Sequence, residues 1–306
     1  MPESFLLVRP DLKDALAAGR PVVALESTLI AHGLPRPLNL DTALALEAVV
    51  RDHDALPATI GIVDGRIKVG LEVGELERFA QGENIAKVSR RDLATVVAQG
   101  GSGATTVAAT MLCARLAGIR VFATGGIGGV HRSVQTTLDI SADLTELGRT
   151  AVTVVCAGAK SILDLPKTLE VLETHGVPVL GFGTDSFPAF YVRDSGLPVD
   201  TRVESAREVA QIVRVRTELG LQGGMVVAVP VPQAQALGEK LVEGWIAQAS
   251  SEARVKGVSG KALTPFLLGR IAQLSEGRAL ETNVTLVKNN ARVAAEIAAA
   301  LSFEVG

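Results

Sequence analysis

Short apolar runs bounded by glycine, proline or polar residues recur along the chain, and between them the apolar positions fall at helical spacing. Pro21–Ser27 (PVVALES), Arg120–Ala123, Val152–Cys156, Val177–Gly181 and Met225–Val229 are continuous apolar runs. Runs of this kind suit strands buried on both faces. Asn39–His53 instead carries Leu40, Ala43, Leu44, Leu46, Ala48 and Val49 along one stripe, which predicts a helix with Asn39 or Asp41 as N-cap. The same reading predicts helices over Glu72–Gln81, Arg91–Gln99, Thr105–Ala117, Leu163–His175 and Glu204–Leu219. From Ala234 onward only helices are expected: Ala234–Ala249, Gly260–Ser275 and Asn283–Ala300. Thr59–Val63 and Ile67–Val69 flank Asp64-Gly65, a dipeptide suited to a primed hairpin turn. Together these elements predict an α/β protein, a three-layer α/β/α arrangement around a mixed, mostly buried central sheet. No linker rich in Pro, Ser or charge divides the chain and no internal repeat is evident, so one domain over residues 1–306 is expected.

Composition narrows the function classes. The 306 residues are 47% hydrophobic, enough for one large or two modest cores. With 30 basic and 33 acidic residues, neither a nucleic-acid partner nor a disordered acidic tail is expected. Cys113 and Cys156 lie in apolar runs and read as small buried hydrophobes rather than a disulfide, which suits a cytoplasmic protein. Charges interrupt Met1–Gly19 where a signal peptide needs its apolar core. The longest apolar runs, near Thr150–Ala159 and Gly224–Pro232, are too short to span a bilayer, so no membrane role is expected.

The densest chemistry lies between Val121 and Lys160. Thr124–His131 (TGGIGGVH) follows a strand directly, and its two glycine pairs permit either close backbone approach or a mobile flap. His131 at the end of that loop is a stronger candidate than His53 or His175, which sit on helix ends. Asp139, Ser141 and Asp143 share one face if extended, an arrangement suited to a hard divalent cation held largely through water, or equally to a polar edge with Asp143 as a helix cap. Lys160 comes off a hydrophobic strand among small residues. Partial burial there favours a free amine able to attack a carbonyl or anomeric carbon, while an ordinary lysine would snorkel to water. Glu26 ends the first apolar strand, where desolvation would raise its pKa and suit general acid–base work; a buried salt bridge is the alternative.

Gly100–Ala104 (GGSGA), with Thr105, Thr106 and Val107, precedes an apolar helix and reads either as a phosphate cradle or as a plain glycine turn with a threonine cap. It matches neither the dinucleotide fingerprint nor the P-loop. Lys87–Asp92 (KVSRRD) gathers cations at a strand-to-helix boundary and suits a phosphate or a subunit rim. Asn283 reads first as an N-cap, with an amide that can also contact a base edge.

Taken in order, Glu26-Ser27-Thr28, His32–Pro35, Lys87–Leu93, Gly101–Val107, Gly125–Arg132, Asp139–Asp143, Gly158–Lys160, Gly183–Pro198 and Gly260–Arg270 resemble successive blocks of the pseudouridine-5'-phosphate glycosidases and the related indigoidine-biosynthesis proteins. The resemblance implies reversible cleavage of pseudouridine 5'-phosphate to uracil and ribose 5-phosphate, with Mn²⁺ as cofactor and a homotrimer as the assembly. It implies Lys160 as covalent nucleophile and Glu26 as proton donor. Lys87, Thr106 and the Val107 backbone would contact the sugar phosphate, Asp139 would anchor the metal, and Ser141, Ala142 and Asp143 would contact substrate. His131 and Asn283 match further pocket positions. The pattern departs from the family at Ser275–Ala279 (SEGRA), just ahead of Asn283, where a second glycine and a serine are expected. Two other readings are a Schiff-base aldolase or lyase on another sugar phosphate, and a non-catalytic sugar-phosphate-binding protein.

Overall fold

Strands that are apolar on both faces must be covered on both faces, and helices do this here. A computed structural model describes residues 5–302; the part of the leader reading that rests on Met1–Ser4 lies outside them. The strands in chain order are β1 (Leu6–Val8), β2 (Val22–Glu26), β3 (Leu56–Val63), β4 (Arg66–Val69), β5 (Ile85–Val88), β6 (Ser102–Thr105) and β7 (Val121–Ala123). They continue with β8 (Val130–His131), β9 (Thr153–Cys156), β10 (Leu163–Asp164), β11 (Val179–Phe182), β12 (Thr201–Val203) and β13 (Met225–Ala228). The α-helices are α1 (Pro10–Ala17), α2 (Leu38–Asp52), α3 (Val73–Gln81), α4 (Leu93–Ala98), α5 (Val107–Ala117) and α6 (Val134–Thr137). They are followed by α7 (Ala142–Leu147), α8 (Leu165–Thr174), α9 (Ala206–Glu218), α10 (Glu239–Val255), α11 (Leu263–Leu274) and α12 (Arg278–Ser302).

Eleven of the described strands form one sheet, in the order β1-β4-β3-β2-β7-β9-β13-β11-β12, with β6 pairing β3 and β5 pairing β6. The run from β3 through β2 to β12 is parallel, while β3 pairs antiparallel with β4 and β6. The sheet is therefore mixed, as the hairpin at Asp64-Gly65 requires. Both turn residues have positive φ (47° and 76°), as a primed turn demands. The first crossover from β2 leads to β3 on one side, and the chain later returns as β7 on the other side of β2. Such a reversal opens a crevice at the carboxyl ends of the strands. Glu26 is the last residue of β2, and Thr124 and Gly125 follow β7, so the crevice carries the sequence motifs.

Several local expectations change. GGSGA is not a helix-opening loop: Ser102–Thr105 is β6, parallel to β5. The glycine serves close strand packing, since a Cβ on Gly103 would lie 2.3 Å from Val88 Cγ2. Asn39 does not cap α2. It lies inside the helix, and its buried amide donates to the carbonyls of Ile30 and Ala80, both at 2.9 Å. Pro166 moves the start of α8 to Leu165 and leaves Leu163 in β10, with Asp164 accepting from Lys167 N–H as N-cap. The final helix begins at Arg278, five residues before the expected Asn283, which places Asn283 on a buried face. β1 and β12 span only three residues each, too short for a period to show.

α12 is buried along most of its length and packs on β2, β7 and β9 as well as on α2 and α9. Its Asn290 is fully buried and donates to the carbonyls of Thr124 (2.8 Å) and Gly125 (3.3 Å), which fastens the loop after β7 to the helix. Gly158, after β9, has φ +77°, and a Cβ there would lie 2.0 Å from the Pro188 carbonyl oxygen. Gly158→Ala is expected to cost about 3 kcal/mol, combining left-handed strain with a backbone clash. Denaturant unfolding measures it, and a change below about 0.5 kcal/mol would contradict the packing described.

Candidate active site

The parallel pairing of β7 with β9 continues beyond the strand ends. Thr124 N–H donates to Val155 O at 3.0 Å, Ala157 N–H to Gly125 O at 2.9 Å, Ile127 N–H to Gly158 O at 3.1 Å, and Lys160 N–H to Ile127 O at 3.1 Å. The two loops are thus laced together residue by residue, and Lys160 Nζ reaches back to donate to the Gly126 carbonyl at 2.5 Å. The glycines permit this approach. A Cβ on Gly126 would meet the Phe190 ring at 2.7 Å, and one on Gly128 would meet Ser141 Oγ at 2.2 Å and Asp143 Oδ2 at 2.7 Å. The TGGIGG loop thus shows the close backbone approach that its glycines permit.

Glu26 lies across the same crevice and accepts a short hydrogen bond from Thr124 Oγ1. Burial raises its carboxyl above the ordinary range, with Lys160, Thr124 and Lys87 opposing and Asp143 reinforcing the shift. Lys87, on β5, is held below the usual lysine value by burial and then by Lys160. Glu26, Asp143, Lys87 and Lys160 therefore form one charge cluster.

Ser141 is the N-cap of α7, accepting from Asp143 N–H at 3.2 Å. Asp143 is buried, and its carboxylate accepts from Ala108 N–H at 3.0 Å and Gly128 N–H at 2.8 Å. The expectation of Asp139, Ser141 and Asp143 on one extended face therefore fails, because a helix begins at Ala142 and turns Asp143 onto backbone amides. Asp139 instead stands beside His131, with Oδ2 3.8 Å from Nε2. His131 Nε2 faces that carboxylate from β8, whose backbone N–H donates to Asp139 O at 3.0 Å. Burial lowers the His131 pKa, and Asp139 opposes.

A cavity of about 210 Å³ collects these groups. Glu26, Lys87, Thr106, Val107, His131, Ser141, Asp143, Lys160 and Asn283 all line it; Asp139 and Ala142 do not. Thr106 is the N-cap of α5, yet its hydroxyl makes no cap bond and is buried without a partner. His32 Nε2 and Asn283 Oδ1 are likewise buried and unpartnered on the cavity wall. Three orphaned polar atoms on one concave wall mark a ligand site, because leaving them unpaired costs stability.

The family model for the indigoidine synthase A like protein matches residues 11–300. The chain belongs to this family. It is 56% identical over 298 residues to the pseudouridine-5'-phosphate glycosidase of Caldanaerobacter subterraneus subsp. tengcongensis, covering 97% of each chain. It is 58% identical over 297 residues to that of Jannaschia sp., covering 97% of this chain and 98% of the relative. Among solved structures, the prealnumycin C-glycosynthase AlnA, in complex with ribulose 5-phosphate, superposes with a TM-score of 0.91 at 43% identity, covering 99% of this chain and 98% of AlnA. The indigoidine synthase A-like protein of Thermotoga maritima gives a TM-score of 0.89 at 36% identity, covering 97% of each.

Within this family member, sequence reasoning gave no role to His32, Phe190, Thr264, Leu268 or Asn290. His32, Phe190, Thr264 and Leu268 all stood in blocks that carry the family resemblance, without a role of their own, and Asn290 was signalled only as a polar residue on the apolar stripe of α12. Phe190, Thr264 and Leu268 reach the cavity wall by tertiary packing alone.

A raised carboxyl pKa carries a stability signature. Between the unfolded and the higher folded pKa of Glu26, the folded state binds more protons than the unfolded state, so stability falls as pH rises through that window. Glu26→Gln removes the ionisation. Its stability relative to wild type is expected to grow as pH rises from about 4.5, the ordinary carboxylate value, and to level off above the folded pKa. Denaturant titrations of both proteins across this range test it, and a pH-independent difference would contradict the burial of Glu26.

Proposed function

We propose that the chain catalyses reversible cleavage of the carbon–carbon glycosidic bond of pseudouridine 5'-phosphate, giving uracil and ribose 5-phosphate, with Lys160 as a transient covalent amine and Glu26 as proton donor. The observation that carries this reading is the placement of the Lys160 amine and the desolvated Glu26 carboxyl on one small cavity that also holds Lys87. Near-full-length relatives named for this activity support it, and so does AlnA, described with a pentulose phosphate bound.

The bond to be broken joins C1' of ribose to C5 of uracil. It has no heteroatom leaving group, so the paired-carboxylate route of ordinary glycosidases does not apply. The Lys160 amine attacks C1' while the ring C1'–O bond breaks, and Glu26 gives its proton to the departing ring oxygen. The attached ammonium nitrogen gives a proton back to the Glu26 carboxylate and so regains its lone pair; delivery of that proton from Glu26 to C5 then lets the C1'–C5 bond break. Its electron pair goes to the pyrimidine, and the nitrogen lone pair forms a C=N bond to C1'. Water then adds to C1', releasing ribose 5-phosphate and the free lysine. Lys87 and the start of α5, with the unpartnered Thr106 hydroxyl, suit the phosphate, since a helix N-terminus and an amine both favour an anion. Fixing the phosphate converts remote binding into rate at C1'.

Asp139 is the residue that would anchor Mn²⁺. Its carboxylate is a hard, part-exposed oxygen donor, and among the described residues no cluster of three or more His, Cys, Asp or Glu could enclose a metal. That donor set fits an ion held largely through water. When bound, such an ion would either polarise the pyrimidine or order the water around it. A homotrimer and a cytoplasmic location belong to the same proposal and rest on the resemblance; among the described residues no helix is long and apolar enough to cross a membrane.

Pyrimidine absorbance follows the reaction directly. With Mn²⁺ present, pseudouridine 5'-phosphate is expected to yield uracil, and Lys160→Ala is expected to slow this about a thousandfold or more. Release of uracil by Lys160→Ala within about tenfold of wild type would remove the covalent role.

A further inference from the structure

A second cavity of about 470 Å³ abuts the first. The two share His32, Gly33, Pro265, Leu268 and Asn283 as lining. The dividing wall therefore carries two of the three orphaned polar atoms, His32 Nε2 and Asn283 Oδ1, and Asn283 is only 6% exposed. The chambers differ in charge. Glu26, Lys87, Asp143 and Lys160 line the first, whereas among the described residues no Asp, Glu, Lys or Arg lines the second. Leu34, Pro35, Tyr191, Ala272 and Leu280 give the second an apolar wall, interrupted by the neutral amide of Gln273.

The proposed reaction separates its two products in time. While the sugar is bonded to Lys160 and its phosphate is fixed, the base must depart alone, and in the synthetic direction it must arrive alone. A dianionic sugar phosphate suits the chamber that carries Lys87 and Lys160; a neutral planar heterocycle suits the one lined by uncharged groups. We propose that the second cavity is the passage by which the pyrimidine base leaves and enters, separate from the mouth that admits the sugar phosphate. This rests on the reading given under Proposed function and adds the route of the leaving group. The orphaned Asn283 Oδ1 at the partition offers an acceptor to an imide N–H in transit, and burial, lowering the His32 pKa, keeps that ring neutral beside it.

Gly269 allows a clean test. It lies within α11, lines the second cavity and not the first, and a Cβ built on it meets nothing within 4 Å. Cys113 and Cys156 are fully buried, and burial pushes both thiols up to about 12, so a cysteine at 269 is the one readily labelled. Gly269→Cys is labelled either with a bulky biphenyl maleimide or with a methyl thiosulfonate. Two readouts are taken: formation of pseudouridine 5'-phosphate from uracil and ribose 5-phosphate, and borohydride trapping of ribose 5-phosphate alone on Lys160. The bulky adduct is expected to slow synthesis at least about tenfold while the trapping yield holds, and the methyl adduct to leave both near the unlabelled level. Synthesis within about twofold of the unlabelled protein after complete bulky labelling, or trapping that falls in step with synthesis, would overturn the passage. No trapping and no product from the wild-type protein would instead remove the reaction itself, and the passage with it.

Discussion

Two loops that follow adjacent parallel strands are stitched together beyond the sheet, and the positions of the reactive groups depend on that stitching. Backbone bonds between Gly125–Ile127 and Ala157–Lys160 hold the lysine loop against the glycine loop, and Asn290 ties the glycine loop to the buried helix α12. The amine of Lys160 ends on the Gly126 carbonyl as a consequence of this register. Any side chain at Gly126 or Gly128 would push the loops apart, because ring and carboxylate atoms already occupy the space. Arg132 adds a brace: its guanidinium donates to Ser161 O at 3.0 Å and pairs with both carboxylate oxygens of Glu243, at 2.7 and 2.8 Å.

The same crevice places like and unlike charges close together with little water. The Asp143 carboxylate is satisfied by the backbone N–H groups of Ala108 and Gly128, at the N-terminal end of α5. Glu26 has no such backbone support. Burial therefore dominates it and favours the protonated form, even with Lys160 near. Two carboxyls in one site are driven to different tasks by their surroundings, one structural and one suited to giving a proton. The unpartnered atoms of Thr106, His32 and Asn283 extend this pattern, since each is an unpaired group that a ligand would satisfy.

Much of this was legible in the chain because buried parallel strands leave continuous apolar runs. β2, β7, β9, β11 and β13 are found where those runs lie, and Asp64-Gly65 announced the hairpin that makes the sheet mixed. The charged site residues were visible because they interrupt such runs at strand ends, as Glu26 and Lys160 do. GGSGA misled because glycine in a strand that packs closely on its neighbour has the same letters as glycine in a turn. Asn39 and Asn283 misled because an Asn ahead of an apolar stripe is usually a cap, whereas here each amide faces the interior. Thr264 and Leu268, on α11, lie in a block of the family resemblance, but their chemistry gives no hint of a role, since only the packing of that helix over the crevice brings them to the wall. Asp143 looked like half of a metal site, and only the start of α7 at Ala142 shows its carboxylate committed to backbone.

The account turns on whether the amine poised at Gly126 O swings to bond the sugar. A crystal structure of the protein soaked with ribose 5-phosphate tests this most directly. The account predicts continuous density between Lys160 Nζ and C1' of an opened pentose, with the phosphate near Lys87 and the start of α5. A closed-ring sugar with Lys160 still on the Gly126 carbonyl, or a covalent bond from Lys87, would contradict it.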